Sequence, residues 1–273
     1  MTTTLQRRSL LAYAGAVGLY AAGRSQTAAQ APVSVAPRIV HKDQIKASDA
    51  LRVAMASPRR PDADKKRDAG RKPAETMAFY GIGPGMTVAE LMTSSGYFTA
   101  VLAEAVGETG KVYGQNNKWL RDRFKDTNRP LGDLITKGGY TNIIEHDTEL
   151  EELGLAPASL DAVFMVMFYH DTYWLGVDRP AMNKGVMAAL KPGGIYGIID
   201  HHAAPGMEIR DVAKNHRIEK YVVVEDVLKA GFQLAEETDL LENPKDPLNV
   251  SVFQQELRGF TNQFVLKFRK PVA

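Results

Sequence analysis

Cysteine is absent from the 273 residues of this chain. Without it there is no disulfide framework, no thiol nucleophile, no thiolate zinc site and no cysteine for lipid attachment. No charge sign dominates either: 34 basic and 32 acidic side chains leave +2. Setting aside the leader described below removes Arg7, Arg8 and Arg24, which leaves 31 against 32. A nearly neutral chain has no general electrostatic reason to bind nucleic acid or a membrane surface. The longest early apolar run, Leu10 to Ala22, is too short for a transmembrane helix. Internal repeats and heptad runs are lacking as well. The roughly 240 residues after the leader suffice for one large α/β domain with a sizeable core.

The chain is organised around Met86 to Asn117. Val88-Ala89-Glu90-Leu91 reads as a buried strand, and Met92-Thr93-Ser94-Ser95-Gly96 as a tight turn of mostly small residues. Tyr97 to Ala103 carries apolar residues at helical spacing, and Lys111-Val112-Tyr113-Gly114 reads as a second strand. Strand, turn, helix and strand form a βαβ unit, in which ligands bind at the carboxyl end of the first strand against the helix amino end.

This stretch resembles the first motif of the class I S-adenosylmethionine-dependent methyltransferases, an acidic residue followed by Gly-x-Gly-x-Gly and an aromatic. Glu90 takes the acidic place, Gly96 the third glycine, and Tyr97-Phe98-Thr99 follow; Met92 and Ser94 stand at the first two glycines. The resemblance implies cofactor contacts from Glu90, Met92, Ser94 and Gly96. It also implies a ribose contact after the second strand, where Asn116 replaces the usual acid, and an adenine contact from Asp147 after Thr141 to Glu145. The turn Gly83-Pro84-Gly85-Met86, with Ser57-Pro58-Arg59-Arg60-Pro61 and Arg71-Lys72-Pro73 upstream, is most similar to the predicted exported methyltransferases of bacteria.

Export is the expectation from the amino end too. Arg7-Arg8, the apolar run and the small residues Thr27 to Ala31 form a secretory leader over residues 1–29, and the paired arginines resemble a twin-arginine signal. Residues 30–56 read as a linker and an amino-terminal helix over Ile45 to Met55, and 57–273 as the methyltransferase-like domain. Pro61 and Asp62 open a helix through Arg71, and Pro73 to Tyr80 another, ended by Gly81. Arg67 and Arg71 share one helix face; they either receive a ligand carboxylate or pair with Asp64 and Asp68.

Leu160 to Phe168 is the strongest strand, an unbroken apolar run suited to the centre of a parallel sheet. It emerges at Tyr169-His170-Asp171, which makes His170 the first candidate for proton transfer. Ala181 to Leu190 reads as a helix. Leu190-Lys191-Pro192-Gly193-Gly194 then turns into a strand at Ile195 to Ile199, a signature of the fifth strand in the resembled class. That strand ends in Asp200-His201-His202, where alternation sends Asp200 and His202 to one face and His201 to the other. A polar segment from His216 closes over the site, a helix ends at Gly231, and strands follow at Gln233 to Glu236 and Gln263 to Lys270.

The expectation is a Rossmann-like, seven-stranded, mostly parallel α/β sheet with helices on both faces and an antiparallel carboxyl-terminal hairpin. The leading function is a periplasmic or secreted methyltransferase that uses S-adenosylmethionine on a small-molecule acceptor, with His170, Asp200 and His202 near the acceptor. No metal ligand set, nucleic-acid partner or lasting membrane anchor is assigned. Two alternatives stay open: a methyltransferase-like binding protein without transfer activity, and a metal-assisted hydrolase or lyase using Asp200, His202 and His170.

Overall fold

A computed structural model describes residues 36–124 and 130–272. The expected leader lies outside the described residues, and a helix pair expected over Trp119 to Ile135, interrupted at Asn128-Arg129-Pro130, does so in part. In chain order the elements are β1 (Arg38–Val40), α1 (Asp49–Met55), α2 (Asp62–Lys65), α3 (Asp68–Arg71), α4 (Pro73–Tyr80), β2 (Thr87–Leu91), α5 (Tyr97–Val106), β3 (Lys111–Gln115), α6 (Lys118–Phe124) and α7 (Pro130–Gly138). They continue with β4 (Ile143–His146), β5 (Leu160–Val166), α8 (Arg179–Ala189), β6 (Leu190–His201), α9 (Val212–Asn215), α10 (Lys220–Lys229), β7 (Gln233–Thr238) and β8 (Gln263–Arg269).

Eight strands, one more than expected, form a single sheet in the order β1-β7-β8-β6-β5-β2-β3-β4. Only β8 runs against its neighbours, β6 and β7. The additional strand is β1, three residues of the expected linker that pair in parallel with the far end of the chain. The expected helix through Arg71 is broken into α2 and α3. The Lys191 to Gly194 turn is instead a bulge within β6, because Leu190 pairs with Leu160 and Ile195 with Ala162.

Strand alternation divides the apolar side chains between two cores. Ala162, Phe164 and Val166 of β5 face one, under α1, α4, α5 and α7. Val163 and Met165 face the other, under α6, α8 and α10. The first core is closed by rings: Tyr80 and Phe98 approach Phe164 at 5.0 and 5.5 Å between centroids. These rings need Gly197 of β6. A methyl group there would lie 2.5 Å from Phe164 and 2.8 Å from Tyr80.

Gly197→Ala is therefore expected to destabilise the fold by about 1–3 kcal/mol through overpacking. Urea denaturation of both proteins measures it, and equal midpoints would show that the rings yield without strain.

Candidate functional site

The carboxyl ends of β2, β5 and β6 border three adjoining cavities of about 110, 420 and 550 Å³. A larger cavity of about 700 Å³ opens beside Asp161, Lys191 and Glu236, at the start of β5 and the bulge of β6. Its charges are largely spent on one another, in pairs such as Lys191–Asp161 and Lys267–Glu236. Ligands of open parallel sheets bind at the strand carboxyl ends, so the smaller cavities are the candidate site.

The turn after β2 sets the first wall. Met92, Ser94 and Gly96 have φ of 58°, 54° and 81°, so all three places of the glycine motif are left-handed although two carry side chains. That conformation costs an ordinary residue about 1–2 kcal/mol, and the end of β3 holds it in place. The Gln115 side-chain oxygen accepts the Met92 N–H at 3.0 Å, and Asn116 Oδ1 accepts the Ser94 N–H at 3.1 Å and the Thr93 hydroxyl at 3.2 Å. The carbonyl of Asn116, expected to serve a ribose, is thus turned back onto the turn. Asp147, the other expected nucleoside contact, lies 3.8 Å from Arg121 of α6 and does not line these cavities.

Glu90 is buried and lines the smallest cavity with Arg71, Met92, Ser94 and Tyr97. Burial pushes its carboxyl up to about 8, opposed by the hydroxyl of Thr99, which donates to Oε2, and by the Arg71 charge. Arg71 borders every cavity at this edge. Its guanidinium lies 4.5 Å over the Tyr97 ring, and burial lowers it to about 10, still cationic at neutrality. Arg67 pairs with Asp64 at 3.2 Å, while Asp68 is taken by Arg60 and by the Tyr97 hydroxyl. Among the described residues Arg71 has no ion pair.

The second wall comes from the ends of β5 and β6. Asp200 is fully buried and accepts the backbone N–H of His170 at 2.9 Å, the His170 ring at Nδ1 at 2.7 Å and the His201 N–H at 2.7 Å. Burial opposes charge on His170, but Asp200 and Asp171 outweigh it and raise the ring to about 10. His216, which follows α9 in a left-handed conformation, brings Nδ1 to 3.1 Å from His170 Nε2. Trp119, Trp174, Phe168 and Phe253 complete the 420 Å³ cavity.

His170 and Asp200 come together as expected, but His202 does not join them. Its ring packs edge-on at 5.3 Å from Phe264 of β8. Sharing a strand face with Asp200 is not enough: Asp200 meets the exit of β5, whereas His202 lies beyond the end of β6 beside the opposite neighbour. His201, expected to point away, lines two of the cavities and bonds Thr261 Oγ1 at 2.7 Å through Nδ1. Burial lowers its ring to about 3, so it is neutral at physiological pH. Asp171, His201 and Trp174 were visible only as neighbours of chosen residues. The polar segment expected to close over the site from His216 does bring His216 into the 420 Å³ cavity, but its contact with His170 carried no local signal.

No family model matches the sequence, and no curated protein matches it. Solved structures do. The chain resembles a SAM-dependent methyltransferase from Aquifex aeolicus, with 18% identity over 78% of this chain and 96% of that one, at a TM-score of 0.57. The fold is that of the class I methyltransferases. An arsenic(III) S-adenosylmethionine methyltransferase from Chlamydomonas reinhardtii shares it, with 20% identity over 81% of this chain and 73% of that one, at a TM-score of 0.50. So does the [4+2]-cyclase SpnF, with 13% identity over 87% of this chain and 98% of that one, at a TM-score of 0.56. The methyltransferase fold therefore accounts for the sheet and the edge that bears the cavities, and the side chains decide the chemistry.

Because Ser94 is partly exposed and strained, Ser94→Gly is expected to leave stability unchanged or raise it by up to about 1 kcal/mol. Ser94→Val, β-branched at positive φ, is expected to cost more than about 1 kcal/mol. Thermal unfolding of the two variants compares them; the reverse order would mean that the turn is not held left-handed.

Proposed function

We propose that this protein is an S-adenosylmethionine-dependent methyltransferase acting on a small-molecule acceptor. The observation that carries the reading is the first wall: a turn left-handed at all three glycine places, with Glu90 and Arg71 on one small cavity. A cation without an ion pair and a buried acid together suit the carboxylate and ammonium of an amino acid. The donor set thus fits the methionine end of the cofactor. When bound, the cofactor supplies an electrophilic methyl group.

In this reading Arg71 binds the carboxylate, and Glu90, oriented by Thr99, takes the ammonium. Trp119 and Leu120 give an apolar wall for the nucleoside, and Asn116, its oxygen committed to the turn, offers only its Nδ2 donor. The acceptor occupies the rest of that 420 Å³ cavity, away from Trp119 and Leu120, where Phe168, Trp174 and Phe253 suit an apolar or aromatic body. That volume and lining support a small molecule over a polymer. The same proposal includes export, on the leader pattern of Arg7-Arg8 and Leu10 to Ala22.

The test is calorimetric titration of S-adenosylmethionine and S-adenosylhomocysteine into the full chain, unfolded and refolded to strip any carried ligand. Micromolar binding is expected, weakened about 10–100-fold in Arg71→Ala, as for loss of a charged hydrogen bond. Binding favours ionised Glu90, whose carboxyl stands near 8 without ligand. Affinity should therefore rise with pH up to about 8 and then level off, with proton release seen in buffers of differing ionisation enthalpy. Glu90→Gln should flatten that profile. Absence of binding by a correctly refolded chain would sink the proposal.

A further inference from the structure

We infer that His170, Asp171 and His216 form a binding site for one divalent first-row transition-metal ion. Three potential ligand atoms converge there: His170 Nε2 to Asp171 Oδ1 is 3.0 Å, His216 Nδ1 to Asp171 Oδ1 is 3.2 Å, and the two ring nitrogens are 3.1 Å apart. Metal–ligand distances of about 2.0–2.2 Å place neighbouring ligand atoms about 2.9–3.5 Å apart, from octahedral to tetrahedral geometry. The triangle has the size of one face of such a coordination shell.

The hydrogen bonds of the cluster are compatible with the same conclusion. Asp171 Oδ1 accepts the Trp174 indole N–H at 2.8 Å. It keeps one lone pair for the His170 Nε2–H at 3.0 Å, and a neutral His216 accepts at Nδ1. A cation at the centre takes the place of the proton between the rings, and each nitrogen and the carboxylate then present lone pairs to it.

The surroundings are those of a ligand set held in place. His170 Nδ1 lies 2.7 Å from Asp200, the carboxylate–histidine arrangement that fixes the ring and raises its basicity toward a metal. Asp171 and Asp200 are both buried, and their two charges balance a dication. His216 is held at φ 51°, and Arg217, the next residue, is fully buried in a two-pronged pair with Asp246 at 2.9 Å. Two histidines and one carboxylate leave coordination positions open, and all three residues line the 420 Å³ cavity. Those positions would take an oxygen ligand such as a hydroxyl or carboxylate, which a metal makes more acidic or orients. With no cysteine in the chain, imidazole and carboxylate select zinc, iron, cobalt or nickel over softer ions.

The experiment needs no methyl donor, so it is independent of the proposed transfer activity. The full chain is treated with chelator, desalted and titrated with Zn²⁺ by calorimetry and with Co²⁺ by visible absorption. One equivalent of each is expected to bind, with cobalt ligand-field bands of a nitrogen and oxygen site. His216→Ala and Asp171→Asn should weaken binding at least about 100-fold, Asp200→Asn about 10–100-fold, and His202→Ala not at all. Circular dichroism shows whether each variant is folded, and the cobalt spectrum of the unaltered chain does not depend on any of them. Lack of stoichiometric binding by the unaltered chain at 100-fold excess metal, or equal affinity in folded His216→Ala, would overturn the inference.

Discussion

The Asp200 carboxylate is the constraint on which the cavity-bearing edge depends. A carboxylate without solvent is tolerated only when its lone pairs are taken up, and here three N–H groups do so, from the His170 backbone, the His170 ring and the His201 backbone. Two of those donors belong to the exit of β5 and one to the end of β6. The hydrogen bonds therefore fix where β5 leaves the sheet, and with it the directions of His170, Asp171 and the wall that follows. His201 is placed by the same carboxylate from the other side. The geometry of two strands is reduced to the satisfaction of one buried charge.

Backbone strain is concentrated at this edge. Of the seven non-glycine residues with positive φ among the described residues, Met92, Ser94, Met167 and His216 all line its cavities. Strained residues persist where the surroundings over-determine them, and those surroundings can be named. The Met92 side chain is almost fully buried, which contributes about 1.5–3 kcal/mol and offsets its backbone cost. Ser94 has no such burial, and Asn116 supplies the restraint through its side-chain oxygen. Two departures from the resembled motif, the missing glycines and the missing acid, are thus one physical change. A turn that no longer has glycine needs a neighbour to hold it, and the residue at the end of β3 has taken that role.

This coupling also explains what could and could not be read from residues alone. The βαβ unit, the apolar run of β5 and the Pro73–Tyr80 helix were legible because each depends on local periodicity and turn residues. The strand β1 was not, since three residues acquire a partner only where β7 lies almost 200 positions away. Alternation correctly assigned the faces of Asp200 to His202 but not their sites, because a site also depends on which neighbouring strand a side chain meets. His216 stands 46 positions from His170. It arrives there through the Arg217–Asp246 pair, a long-range contact that the pattern around it does not announce.

The fold leaves the reaction undecided, as the shared architecture of a methyltransferase and a [4+2]-cyclase demonstrates. The side chains divide the edge into two chemically different halves. The β2 half presents Arg71, without an ion pair among the described residues, and the buried acid Glu90, suited to a zwitterion. The β5 and β6 half presents imidazoles, carboxylates and aromatic rings. Arg71, Ser94, Met167 and Phe168 border both halves, so a ligand in one lies against a ligand in the other. Such an arrangement brings two partners together and limits water between them, and proximity of that kind can supply much of a transfer barrier. Under the proposed transfer function, the two halves are the places of the two substrates.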